Sequence, residues 1–137
     1  MTTQIEKEQL IAEVNGDIIN RNIVDVSSDR IRLQNSGKAL VQGRLAGAHI
    51  ETMTVLWKSD GTNLWETRIF ESTKDGPVYI IGYGTGRQAG PGIASYTGEF
   101  TFLHTSPGIP LKGLKAKVEG TESATTGKYS WKIYPAE

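Results

Sequence analysis

The sequence predicts an all-β fold: a single antiparallel eight-stranded β-barrel with a short N-terminal helix. Three observations lead there. Turn signals recur at Asn15-Gly16, Ser36-Gly37, Asp60-Gly61, Asp75-Gly76, the glycine cluster of residues 84–92, Ser106-Pro107-Gly108 and residues 125–127. Asn-Gly and Asp-Gly suit tight hairpins because both central residues can take positive φ. The segments between are rich in Thr, Val, Ile and aromatics and alternate with a period of two. Both faces of that alternation hold apolar groups, which suits a barrel whose outside packs on a helix or another subunit.

The elements follow in order. Thr3 with Glu6 three positions later forms a capping box ahead of Leu10, Ile11 and Val14, so residues 1–14 read as a helical segment able to cover a barrel mouth. A competing reading extends residues 10–14 as a strand through Asn15-Gly16. Residues 15–137 form the barrel domain, with strands near 16–26, 30–45, 48–58, 63–73, 77–86, 93–105, 113–121 and 127–134. In the third, His49, Glu51, Met53, Val55 and Trp57 share a face. The fourth sets Leu64, Glu66, Arg68 and Phe70 opposite Trp65, Thr67, Ile69 and Glu71, and the fifth sets Val78 and Ile80 opposite Tyr79, Ile81 and Tyr83. In the sixth, Tyr96, Phe100, Phe102 and His104 oppose Thr97, Glu99, Thr101 and Leu103, and the last aligns Tyr129, Trp131 and Ile133.

Composition narrows the function. The 137 residues carry 15 Lys and Arg against 15 Asp and Glu, so the basic footprint of a nucleic-acid binder is missing. Without cysteine there is no disulfide framework or thiolate metal site, and a cytoplasmic location is expected. No apolar run approaches the ~20 residues of a membrane-spanning helix, and the acidic N-terminus is unlike a secretory signal.

The run Gly84-Thr85-Gly86-Arg87-Gln88-Ala89 satisfies a relaxed dinucleotide pattern, but Gly90-Pro91-Gly92 would break the helix that pattern requires, leaving a long glycine-permitted connection. His49 and His104 lie on different strands without metal-ligand spacing, so no metal and no cofactor are expected. No serine elbow or phosphate loop is present. The informative polar residues lie within apolar strand faces: Glu51, Glu66, Arg68, Glu99 and His104. Most such groups are solvated or paired, either as an outward charge or as a Glu66–Arg68 ion pair bracing the barrel. In the functional reading Glu66 and Arg68 point together into the lumen as catalytic groups, the carboxylate as acid or base and the arginine as oxyanion anchor. Trp57, Trp65, Tyr79, Tyr83, Tyr96, Phe100 and Trp131 would then supply ligand-binding aromatic walls.

Across roughly residues 37–121 the chain resembles small eight-stranded barrels of the allene oxide cyclase type, and more closely a group of bacterial and archaeal proteins that share that barrel. The resemblance rests on Lys74-Asp75-Gly76, Gly82-Tyr83-Gly84-Thr85-Gly86-Arg87, Gly90-Pro91 and Ser95-Tyr96-Thr97-Gly98 leading to Phe100. It implies an apolar cavity that folds a flexible substrate for cyclisation or isomerisation, and it assigns no catalytic residue in this chain. Three functions remain open: a cofactor-independent cyclase or isomerase, a noncatalytic carrier or sensor of a small apolar or amphipathic molecule, and a structural homo-oligomer packed solid. Outward Val, Ile and aromatic residues favour a homo-oligomer.

Overall fold

The computed structural model describes residues 10–136. Eight antiparallel strands run in chain order round a closed barrel: β1 (Ala12–Val26), β2 (Arg30–Gly43), β3 (Gly47–Lys58), β4 (Thr62–Thr73), β5 (Gly76–Gly90), β6 (Ile93–Thr105), β7 (Lys115–Ser123) and β8 (Lys128–Pro135). Sequence neighbours pair throughout, and β1 closes the ring on β8 through a short seam in which Ala12 faces Ile133 and Asp17 faces Lys128. Among the described residues no helix is long and apolar enough to cross a membrane.

The expected N-terminal helix is corrected where it can be seen. Residues 12–14 open β1, and residues 1–9 lie outside the described part. Val14 is fully buried opposite Val41 on β2 and Trp131 on β8. Burial between two neighbouring strands outweighs the local capping pattern, as tertiary context commonly does.

Several glycines expected in turns lie within strands. Gly16 and Gly37 sit mid-strand, and a Cβ on Gly37 would stand 2.6 Å from Tyr129 Cε1. Of the glycine cluster of residues 84–92, Gly84, Gly86 and Gly90 all lie in β5, so most of it is strand and not a long connection. A Cβ on Gly84 or on Gly98 opposite it would lie 2.8 or 2.7 Å from Trp65 Cζ2. At Gly37, Gly84 and Gly98 aromatic rings from other strands fill the space a side chain would take. The β5–β6 turn falls later, around Gly92, whose φ of 70° suits glycine.

The lumen is largely filled. Trp131 lies 5.0 Å from Trp65, tilted against it, and 5.1 Å from Phe100, edge to face, centroid to centroid, and Tyr96 packs 6.2 Å from Trp65. The expected large apolar cavity is therefore replaced by an aromatic plug, as an eight-stranded interior is just wide enough for its own side chains. Ile11, Leu45, Ile109 and Leu111 are buried near the end where β1 begins. His104 leaves the inner face: Tyr79 pairs with His104 but Ile80 with Phe102, so Leu103 is an extra, bulged residue that reverses the alternation. His104 is exposed and meets Tyr79 edge-on outside the barrel.

At the opposite end the wall is uneven. Beyond Ile18, β1 has left β8 and pairs only with β2, so residues 19–26 form a flange about 26 Å long at ~3.3 Å per residue. Two bulges interrupt it, one leaving Ile19 unpaired and the other Val24.

Candidate functional site

Glu66 and Arg68 do not point into the lumen. Both are exposed on the outer face of β4, since Trp65, Thr67, Ile69 and Glu71 take the inner positions. They line a shallow outer groove of about 290 Å³ with Thr52, Thr54, Ile81 and Tyr83. Tyr79 and Tyr83 also lie outside, Tyr83 donating a hydrogen bond to Glu99 at 3.2 Å. Trp65, Tyr96, Phe100 and Trp131 come together inside, and half-buried Trp57 stands at the rim of the inner face.

The lumen's polar chemistry comes from other residues. His49 and Glu51, two apart on β3, turn inward, and Glu71 on β4 faces His49 across the strand pair. His49 Nε2 donates to Glu51 Oε1 at 2.8 Å, and Nδ1 lies 3.4 Å from Glu71 Oε1. Glu51 also accepts from Thr67 Oγ1 at 2.6 Å and from Trp131 Nε1 at 3.0 Å. Burial alone would lower the pKa of His49, but the hydrogen bonds and charges of Glu51 and Glu71 outweigh it and raise the imidazole to about 9. His49 is thus a buried cation shared by two carboxylates, a pattern in which the charges compensate one another.

A second cluster lies nearer the mouth. Tyr96 donates to Glu122 Oε1 at 3.1 Å, and Arg21 pairs with Glu122 Oε2 from the flange. The bulge at Ile19 places Arg21 there. Ile18 pairs with Gly37 and Asn20 with Ser36, so Arg21 falls opposite inward-facing Asn35; an unbulged strand would set Asn20 in that position.

Between the two clusters lies a pocket lined by Asn35, Glu51, Met53, Tyr96, Glu122, Tyr129 and Trp131, among others. Its volume is about 10 Å³, room for one water-sized group. Two buried polar atoms on its lining, Asn35 Oδ1 and the Tyr129 hydroxyl, have no hydrogen-bond partner among the described residues. Burial, then the nearby Glu51, Asp17 and Glu71 charges, push the Tyr129 pKa upward, so its phenol keeps its proton. The Asn63 side chain and Glu71 Oε2 are likewise buried without a partner among the described residues, away from this pocket.

Sequence reasoning missed most of this site. His49 and Glu51 on one apolar face were a readable signal of an inward ion pair. Arg21 had none, because alternation alone gives its place to Asn20.

No family model matches the chain, and no curated protein matches it in sequence. Its fold is similar to the crystal structure of an enzyme from Penicillium herquei, with a TM-score of 0.60 and 18% identity over 90% of this chain and 91% of that one.

Proposed function

We propose that this barrel binds a small amphipathic molecule by a hydroxyl-bearing end at the mouth pocket, and that the flanking carboxylates transfer protons in a cyclisation or isomerisation. The reading is carried by Asn35 Oδ1 and the Tyr129 hydroxyl, buried on one small pocket without partners among the described residues. Each such atom costs about 1–3 kcal/mol when left unpaired. A ligand hydroxyl meets both needs at once, accepting from Tyr129 O–H and donating to Asn35 Oδ1. Glu51 and Glu122 flank it, each with a cationic partner in His49 or Arg21. A carboxylate there can take a proton from one ligand atom and return it to another, so atoms and charge balance without a co-reactant. The resemblance to cyclase barrels and the similarity to a fungal enzyme's fold support this reading. It includes self-association through the outer face, where Ile50, Ile81 and Tyr83 are exposed.

A packed structural barrel is the second reading, favoured by the aromatic plug. It leaves the unpartnered pair without a role. Thermal unfolding with added cyclohexanol or cyclohexanecarboxylate separates the two. The alcohol should raise the Tm of the wild type, at concentrations that leave Tyr129→Phe and Asn35→Leu unshifted, and the carboxylate should not. Equal shifts in all three proteins, or no shift in the wild type, would overturn the ligand reading.

A further inference from the structure

We propose that the inward side of the β1–β2 flange is a second subsite, which takes the apolar tail of the ligand whose hydroxyl occupies the mouth pocket. The inference rests on the pocket reading above and goes beyond it in naming what the rest of the ligand must be. A pocket of about 10 Å³ admits a hydroxyl and little else, so the body of any ligand held there lies outside it. The question is what surface adjoins the pocket.

The register answers it. Directly opposed residues of an antiparallel pair share a face. Arg21 opposes Asn35, so the row of the pocket extends onto the flange. In the next row Ile23 opposes Leu33, and Leu33 opposes buried Val55; in the row beyond, Val26 opposes Ile31, and Ile31 opposes Trp57. Ile23 and Val26 are 68% and 60% exposed, while Ile31, Leu33 and Trp57 are only half-buried. An apolar strip therefore runs outward from Asn35 along the inner side of the flange. Both bulges are needed for it. With Ile19 and Val24 set aside, Arg21, Ile23 and Val26 all face inward; without them the polar Asn20 and Asn22 would fall opposite Asn35 and Leu33.

The head chemistry also decides against an anion or an ammonium. A carboxylate or phosphate would meet Glu51 and Glu122, whose cations are already engaged. An ammonium only donates, leaving the Tyr129 proton unpaired. The occupant is thus a neutral alcohol or enol on an apolar chain or ring system.

The test is a series of primary alcohols, 1-hexanol, 1-octanol and 1-decanol, with decanoate as the anionic control, read by tryptophan fluorescence titration. Full burial of a methylene is worth about fourfold in affinity. A flange that covers one side of the chain should yield about half that per methylene, at least a tenfold gain from hexanol to decanol. Ile23→Asn and Val26→Asn, at exposed positions that the folded core does not need, should flatten the series, with a loss of affinity that grows from hexanol to decanol. Failure of hexanol itself to bind would overturn the pocket reading, and the flange with it. Hexanol binding without a gain in chain length would overturn the flange alone, as would a gain that survives both variants. Sedimentation showing that the wild type is a dimer and Ile23→Asn a monomer would assign the strip to a second copy and overturn the proposal.

Discussion

Two tyrosine-to-phenylalanine changes, chemically identical and both buried, should move stability in opposite directions. Among the described residues Tyr129 has no partner for its hydroxyl, whereas Tyr96 donates to the Glu122 carboxylate. Removing an unsatisfied buried hydroxyl relieves a desolvation cost of about 1–3 kcal/mol, so Tyr129→Phe should stabilise the ligand-free protein by up to that amount. Removing a hydrogen bond to a charged group costs about 1.5–3 kcal/mol, so Tyr96→Phe should destabilise it. At about 2.1 cal/mol/K per residue, the 137 residues unfold with an entropy of about 0.29 kcal/mol/K. Each kcal/mol is then about 3.5 °C. Calorimetry should find Tyr129→Phe raised by about 3–10 °C and Tyr96→Phe lowered by about 5–10 °C. A fall of several degrees in Tyr129→Phe would mean that its hydroxyl is satisfied in the free protein, and the argument for a ligand at the mouth would fail.

The remaining predictions concern the interior charges and the packing. Glu51→Leu strands His49, Thr67 and Trp131 Nε1 together and should cost about 3–5 kcal/mol by urea unfolding, with Glu51→Gln milder. His49 is raised from 6.5 to about 9, so it binds its proton more tightly folded than unfolded; its contribution is complete below about pH 6.5 and lost as the pH rises to about 9. That contribution is on the order of 3 kcal/mol, and urea midpoints across this range should fall in the wild type and stay nearly level in His49→Gln. Gly98→Ala drives a Cβ to 2.7 Å from Trp65 Cζ2 and should lower stability by about 1–3 kcal/mol, readable as a drop in Tm. Glu66→Gln and Arg68→Gln, both at exposed outer positions, should each stay within about 0.5 kcal/mol of the wild type and leave alcohol binding at the mouth unaltered.

Much of the architecture was legible because it depends on a period of two. Six of the eight strands begin and end within about two residues of the expected ranges, and the grouping of Trp65 with Ile69 or of Trp131 with Ile133 follows from alternation. Alternation cannot say which face is inner when both are apolar. On β4 the choice lay between Glu66 with Arg68 and Thr67 with Glu71, and it was decided by neighbours: Glu71 meets His49, and Thr67 meets Glu51. Those contacts depend on cross-strand register, which no single strand records. Bulges were equally hidden, since one extra residue at Ile19 or Leu103 reverses every later side chain and so brought Arg21 in and put His104 out. The glycine cluster misled for a related reason. Glycine marks either a turn or a place where something large approaches, and only the facing Trp65 distinguishes them.

The seam between β1 and β8 has a kinetic meaning. Every other pairing joins strands adjacent in the chain and can form hairpin by hairpin, whereas the seam must bring together segments more than a hundred residues apart. Closing that loop from an open meander costs conformational entropy that no local hairpin pays. Asn35 and Arg21 stand on one side of the seam and Glu122 and Tyr129 on the other, with Arg21 and Glu122 separated by 101 residues. The mouth pocket therefore comes into existence in the same event that turns a ribbon into a ring. A molecule bound there would act as a clasp, holding shut the joint on which the ring depends.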